Sequence, residues 1–398
     1  MLMRRTLVMR VLRVGLSVFC RIAWQAIRIW QYPAVLREKT PKFFFDETYR
    51  PAVGRSYAIF AMTGARGVGE DVWRMLSLLR RMTVNTVAVV NGRLNEKDLA
   101  DLGECVHRIM VRPNLGRDFG GWRAATLKMY DERVECERVL YLNDSVYFLD
   151  VPELEEFFRN ILDLGRDYDL AAATESREHS YHLQSYVLAI TGEVFGNQAI
   201  QAFWRDYRPY NLRIHAINAG EIGLSRVFCR CRFRKKVLYS LSALSHILNS
   251  LSPAERFRDL ELLSSAKLAN KTIDTVPRMA EEPMNPTPNG QKTNSVKTAE
   301  RYDAQGELFW RQHSEEFFAA IGNMNPAHHA CGFFHRYMGM PIVKKDLYFR
   351  EIFPENGLAR IFADLDDAER SRLLNIQISR GRQKNGAMNT LRRLLRLD

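Results

Sequence analysis

Along the first half of the chain, short apolar runs alternate with amphipathic stretches. Ser56–Met62, Asn85–Val90, Val106–Val111 and Arg138–Leu142 are apolar-rich runs of strand length. Val68–Arg81, Leu94–Leu102 and Gly121–Tyr130 repeat apolar positions at helical spacing between and after them. Repeated strand–helix units predict an α/β fold, a mainly parallel sheet flanked by helices. Ligands of such sheets lie beyond the carboxyl ends of the strands. Any chemistry is therefore expected at Met62–Gly69, Asn91–Arg93, Pro113–Gly121 and Asn143–Asp150. The second half is more helical, with helices over Pro152–Leu162, Phe195–Trp204 and Ala219–Cys229 and strands over Tyr168–Thr174 and Ser185–Ile190. Residues 277–298 carry Pro, Asn, Thr and Lys without periodicity and read as a loop.

The first 31 residues break this pattern, being apolar and basic together. Their longest uncharged stretch, Val14–Cys20, lies between Arg13 and Arg21 and falls short of the ~20 residues a spanning helix needs. At about 100° per residue, Arg10, Arg13, Arg21 and Arg28 share one side of a helix. Leu12, Phe19, Ile22, Trp24 and Ile29 cover much of the rest. This predicts a helix lying in the membrane interface, peripheral to the cytoplasmic face of the inner membrane. A helix packed on the protein's own body would carry the same pattern.

Charge points the same way. With 58 basic and 46 acidic residues the formal net charge is +12, which favours polyanionic partners: nucleic acid, anionic lipid or phosphorylated substrates. Much of the excess sits at the two ends and in Arg226–Lys236, and no nucleic-acid-binding module accompanies it. Nucleic acid is therefore not an expected partner. The six cysteines have neither CxxC spacing nor the density of a disulfide scaffold, which suits a reducing, cytoplasmic setting.

Two segments carry candidate chemistry. In Pro113-Asn-Leu-Gly-Arg-Asp-Phe-Gly-Gly-Trp122, Gly116, Gly120 and Gly121 allow a tight turn and a close approach to a ligand. Arg117 and Asp118 there could hold a diphosphate and a sugar hydroxyl, since Arg suits bidentate phosphate contacts; a structural ion pair between them is the other reading. The glycines lack the spacing of a dinucleotide-binding fingerprint. In Arg138-Val-Leu-Tyr-Leu-Asn-Asp-Ser-Val146, an apolar strand delivers Asn143, Asp144 and Ser145 to its end. That is a place for a divalent cation bridging a nucleotide diphosphate, or for an Asx turn.

Together these segments bring a resemblance. Asn114-Leu-Gly-Arg-Asp-Phe-Gly-Gly-Trp122 and Tyr141-Leu-Asn-Asp-Ser145 resemble the rhamnan synthesis protein F family of bacterial polysaccharide glycosyltransferases. So do His182-Leu-Gln-Ser-Tyr186, Phe203-Trp204, Gly220-Glu-Ile-Gly-Leu-Ser225, Asn325-Pro-Ala-His328 and Gly339-Met-Pro-Ile-Val-Lys-Lys345. The sequence departs at Met62-Thr-Gly64, where a His-Tyr-Asp-like run is frequent, and at Cys331, where Trp is expected.

The resemblance implies a GT-A-like, Rossmann-type fold, a nucleotide-sugar donor and a glycan or lipid-linked acceptor, in rhamnan- or O-antigen-like synthesis. Asn114, Gly116, Arg117, Asp118, Asn143, Ser145, His182 and Lys344 are then the donor-binding candidates. Asp144 and His328 are the candidates for holding Mn²⁺ or Mg²⁺. Glu221 and Asp144 are the catalytic candidates, Glu221 as the base on the acceptor hydroxyl. Each has a plainer reading: Glu221 as a helix first-turn carboxylate, His328-His329 as a packed or exposed pair, Ser185 as a cap. The expected organisation is residues 1–32 as a membrane-associating helix and 33–231 as the catalytic core. Residues 232–350 form a helical and loop extension on the acceptor side, and 351–398 a basic helical tail. A non-catalytic membrane-surface scaffold of the polysaccharide machinery is the alternative, supported by the missing second carboxylate beside Asp144.

Overall fold

The computed structural model describes residues 2–258, 295–349, 353 and 355–380. Its centre is four parallel strands: β2 (Ser56–Thr63), β3 (Asn85–Asn91), β4 (Arg108–Arg112) and β5 (Arg138–Asn143), with β2 between β3 and β5. β3 is buried at every position, which explains why it reads as a continuous apolar run: both faces of a parallel sheet are covered. β1 (Phe45–Thr48) adds an antiparallel edge on β4. On the other side the sheet continues through β10 (Val187–Thr191), β7 (Leu170–Ala172) and β11 (Lys235–Val237), giving eight strands. β6 (Val146–Phe148) leaves the tip of β5 and pairs antiparallel with β12 (Ile342–Lys344). A two-stranded pair, β8 (Glu175–Ser176) and β9 (His182–Leu183), stands beside them.

Helices cover both faces. On one, α2 (Glu70–Arg81), α3 (Glu96–Cys105) and α5 (Glu153–Leu162) pack with the C-terminal helices Ser295–Gly322, Cys331–Met338 and Asp367–Arg380 around Phe60, Leu140 and Phe334. α2 has Glu70 and Asp71 in its first turn and Arg80 and Arg81 in its last, which complements its dipole. On the other face α4 (Arg117–Asp131) lies against β2 and β3. Phe119 and Trp122 share a core with Trp204 and Phe228 there. The Trp122 Nε1–H donates to the Leu142 carbonyl at 2.9 Å and pins α4 to the end of β5.

Two boundaries differ from expectation. α1 is one helix over Leu2–Arg37 and passes through Pro33, although an interior proline removes a hydrogen bond and costs ~3 kcal/mol. Tertiary packing holds the last turns: Val35 is 1% exposed and packs with Leu115 and Tyr210. α4 starts at Arg117, ahead of the expected Gly121. Of the expected 277–298 loop, residues up to 294 lie outside the described part, while 295–298 open the helix Ser295–Gly322. The basic residues beyond Arg380 also lie outside it.

Candidate functional site

The carboxyl ends of β2, β3 and β5 and the turn entering α4 converge, as the sheet rule requires. They line a cavity of ≈ 400 Å³, the tip cavity, with Thr63, Asn91, Asn114, Arg117, Asp144 and Asn211 on its walls. A second cavity of ≈ 200 Å³, the deep cavity, holds His182, Tyr186, Arg213, Glu221, His328 and Asp346. Arg117, Asp118, Asn143 and Ser145 line both. The two spaces adjoin along the residues that the sequence singled out.

Their shared wall is built from a strained turn. Gly116 is left-handed, with φ +83°, and a Cβ there would come within 2.3 Å of Pro209. Arg117 follows with φ +58°, an uncommon conformation for a residue with a side chain and a frequent one at ligand sites. Its guanidinium makes no hydrogen bond or ion pair to the described residues. The alternative, a structural pair with Asp118, does not form: Asp118 takes the Phe119 N–H at 3.1 Å and the Asn143 Nδ2–H at 2.7 Å. Arg117 thus lines both cavities without an ion pair among the described residues.

Asn143 and Ser145 form a closed turn. The Asn143 Oδ1 accepts from the Ser145 N–H (3.1 Å) and hydroxyl (2.6 Å), the Asx geometry that its residue types favour. Asp144 points the other way, its Oδ2 accepting the Thr63 N–H at 3.0 Å.

The deep cavity is assembled from distant segments. Lys344, at the end of β12, holds its Nζ 3.3 Å from the Ser145 hydroxyl and 4.3 Å from the centre of the Tyr186 ring. Desolvation lowers its pKa, against the pull of Asp346, Glu221 and Asp118. His328 gives its Nε2 to Asp346 at 2.8 Å, and Arg213 lies 3.9 Å from the same carboxylate. Burial would raise the Asp346 carboxyl, but His328, Lys344 and Arg213 outweigh it and hold it well below the usual range.

Glu221 ends a π-helical turn, Ala216–Glu221, the kind of bulge that recurs at functional sites. Gly220 permits the approach, since a Cβ there would sit 2.9 Å from the Phe119 ring. Although Glu221 precedes the helix Ile222–Arg230, its side chain caps nothing. The Oε1 instead accepts from the Ser185 hydroxyl at 2.7 Å, and Oε2 lies 3.7 Å from His182 Nε2. His182 Nδ1 donates to the Ser180 carbonyl at 2.8 Å, which leaves Nε2 turned toward Glu221. Ser185 orients the carboxylate rather than capping a helix.

Asn114, Arg117, Asp118, Asn143, Asp144 and Ser145 therefore meet in the tip cavity. His182, Glu221, His328 and Lys344 meet in the deep one. Of the expected metal ligands, His328 lines the deep cavity and Asp144 the tip cavity. Among the described residues no three His, Cys, Asp or Glu side chains are grouped to hold a metal ion. Asp118 and Asp144 do share the tip cavity, and one or two carboxylates are what Mg²⁺ takes when substrate phosphates complete its shell. Asp346, Arg213 and Asn211 escaped the sequence reading. Asp346 follows directly on the Gly339–Lys345 patch, the one local signal available.

With this geometry in place, comparison with known proteins is informative. The model of the rhamnan synthesis protein F family matches residues 86–253. That span runs from β3 to the helices after β11 and contains the α4 turn, β5 and Glu221. An uncharacterized protein of Sinorhizobium fredii, y4gN, is 28% identical over 194 residues, 48% of this chain and 50% of that protein. The chain thus spans about half the length of this curated relative. Among solved structures, a glycosyltransferase involved in glycosylating the major capsid of PBCV-1 is similar at 14% identity and a TM-score of 0.29, over 46% of this chain and 80% of that one. A mannosyltransferase of Pyrobaculum calidifontis, solved with GDP-Man and Mn²⁺, is similar at 8% identity and a TM-score of 0.30, over 78% and 98% of the two chains. Likeness of that degree carries no chemistry to this protein.

Proposed function

We propose that this protein is a glycosyltransferase of bacterial surface-polysaccharide synthesis, moving a sugar from a nucleotide-sugar donor to a glycan acceptor, lipid-linked in our reading. The observation that carries this is the shared wall of the two cavities, where Arg117 stands at positive φ without an ion pair among the described residues. The tip cavity takes the nucleotide, the deep cavity the acceptor, and the transferred sugar lies between them.

In this reading Arg117 and Lys344 neutralise the diphosphate as it leaves, a stabilisation of charge that develops in the transition state. Lys344 suits the task because it is drawn into a desolvated position beside Ser145, where a phosphate oxygen restores its lost solvation. Glu221, oriented by Ser185, takes the proton of the acceptor hydroxyl. Asp346 keeps His328, Lys344 and Arg213 in place. Mn²⁺ or Mg²⁺ would be held by Asp144 and Asp118, and its chemistry would be further screening of the diphosphate charge. With no preassembled three-residue group among the described residues, Mn²⁺ titrated alone should bind weakly, and addition of UDP, GDP or dTDP should tighten it; tight binding of the free ion would overturn this assignment.

The acceptor reading draws on α1. Val18, Ile22, Ile29 and Leu36 are all exposed, 51%, 64%, 74% and 46%, and recur every four or seven residues as one stripe, with Phe19 and Trp30 beside it. Trp24, expected to face lipid, is half-buried instead. No helix among the described residues is long and apolar enough to cross a membrane. We read the stripe, with Arg21, Arg28 and Arg37 near it, as the seat on the cytoplasmic face of the inner membrane. The test of the function is a melting-temperature screen against nucleoside diphosphates and their sugars, because a ligand of the native state raises apparent stability. A scaffold without catalysis would shift with none of them.

A further inference from the structure

α1 touches more than its outer stripe suggests, because two hydrogen-bond relays run from it to the Gly116–Arg117 turn. In the first, the Asn211 N–H donates to Gln31 Oε1 at 2.8 Å. Asn211 then uses both ends of its amide: Oδ1 accepts the Gly116 N–H at 2.6 Å, and Nδ2 donates to the Asn114 carbonyl at 2.8 Å. In the second, Glu38, the residue directly after α1, accepts from Arg112 Nη2 at 3.1 Å, both side chains being buried. Arg112 Nη1 donates to Asn91 Oδ1 (2.7 Å) and to the Leu115 carbonyl (2.9 Å). Asn91 Nδ2 in turn donates to the Arg117 carbonyl at 3.2 Å. Val35, Leu115 and Tyr210 fill the space between the relays as a small apolar cluster.

Both relays end on the residues whose left-handed conformation aims the Arg117 guanidinium. Such a conformation persists only where the surroundings over-determine it. We infer that Gln31, Glu38 and Asn211 are positioning residues of the tip cavity, and that α1 is a structural part of that cavity as well as a surface helix. None of the three is placed by the relays to carry out the reaction; each acts through the backbone of the turn. The inference uses the nucleotide reading of the tip cavity only for its functional consequence. The mechanical part stands on the hydrogen bonds alone.

Gln31→Leu in the full chain removes the acceptor for Asn211 while keeping bulk, and Gln31→Glu keeps an acceptor oxygen. The first readout needs no ligand: amide hydrogen exchange of residues 113–120. Gln31→Leu should speed exchange there about five- to tenfold, the loss of one net hydrogen bond, and Gln31→Glu should restore most of the protection. The second readout is the affinity for UDP, GDP and dTDP and the donor kinetics. The KM for the donor should rise by a similar factor with kcat little changed. Should Gln31→Leu not fold, Asn211→Asp carries the test, since it keeps the Gly116 contact and loses the donation to Asn114. Unchanged exchange in a folded Gln31→Leu protein would overturn the positioning role. Faster exchange in a protein whose wild type binds no nucleoside diphosphate would support positioning and overturn the nucleotide reading instead.

Discussion

The tip cavity and the deep cavity share a wall but are built in opposite ways. Nearly all of the tip cavity comes from residues 61–145, the ends of consecutive strand–helix units, with Asn211 as the outside contributor. The deep cavity draws on residues 117–119, 143–145, 178–186, 213–221, 325–328 and 344–346. Local chain geometry makes the first: a strand ends, the chain turns, and its polar residues are left at the sheet edge. Long-range pairing makes the second, above all β12 on β6, which carries Lys344 and Asp346 to the tip of β5. The polar balance differs accordingly. Arg117, on the wall of both cavities, makes no ion pair among the described residues, whereas Asp346 in the deep cavity gathers His328, Lys344 and Arg213.

The sharpest way to break this comparison is Glu221→Gln. It keeps an oxygen for Ser185 and removes the base, so transfer should fall by about 10²–10⁴ with the melting temperature nearly unchanged. Normal turnover in steady-state assays would move the acceptor away from the deep cavity. Arg117→Gly comes next. It should lower transfer by about 10²–10³, yet raise the unfolding free energy by about 1 kcal/mol, because glycine relieves the left-handed conformation. A denaturation midpoint that falls would mean that the guanidinium supports the fold after all.

Asp346→Asn tests the charge cluster of the deep cavity. Breaking a buried charge cluster should cost about 3–5 kcal/mol in urea unfolding at pH 7. The sign with pH follows from the depressed carboxyl. Its stabilisation is present above the unfolded value of about 3.9 and is lost as pH falls through the lower folded value. The wild-type stability should therefore drop below about pH 4, and the variant should lose part of that acid dependence. A parallel acid limb in both proteins would remove Asp346 from the account. The smallest effect on the fold belongs to the stripe on α1. Ile22, Ile29 and Trp30 changed together to Ser should alter unfolding by less than about 0.5 kcal/mol per site while sharply reducing sedimentation with anionic vesicles; undiminished binding would put the membrane contact elsewhere.

What the sequence determined by itself is the part governed by neighbours along the chain. Strand-length apolar runs and helical periodicity announced β2–β5 and the helices around them, because burial on both faces of a parallel sheet leaves that signature. Glycine spacing around Arg117 announced the turn, and Asn143-Asp144-Ser145 announced its own Asx geometry, because both are short-range steric and hydrogen-bonding facts. Tertiary structure decided the rest. β12 has three residues, too few for periodicity to reveal, yet its pairing delivers Lys344 and Asp346. Whether Glu221 caps a helix or faces a cavity depended on a π-helical turn packed on Phe119. α1 continued through Pro33, with Val35 packed on Leu115 and Tyr210 holding its last turn against the local penalty of proline. Contacts between residues far apart in the chain leave no periodic trace, so only the folded molecule could reveal them.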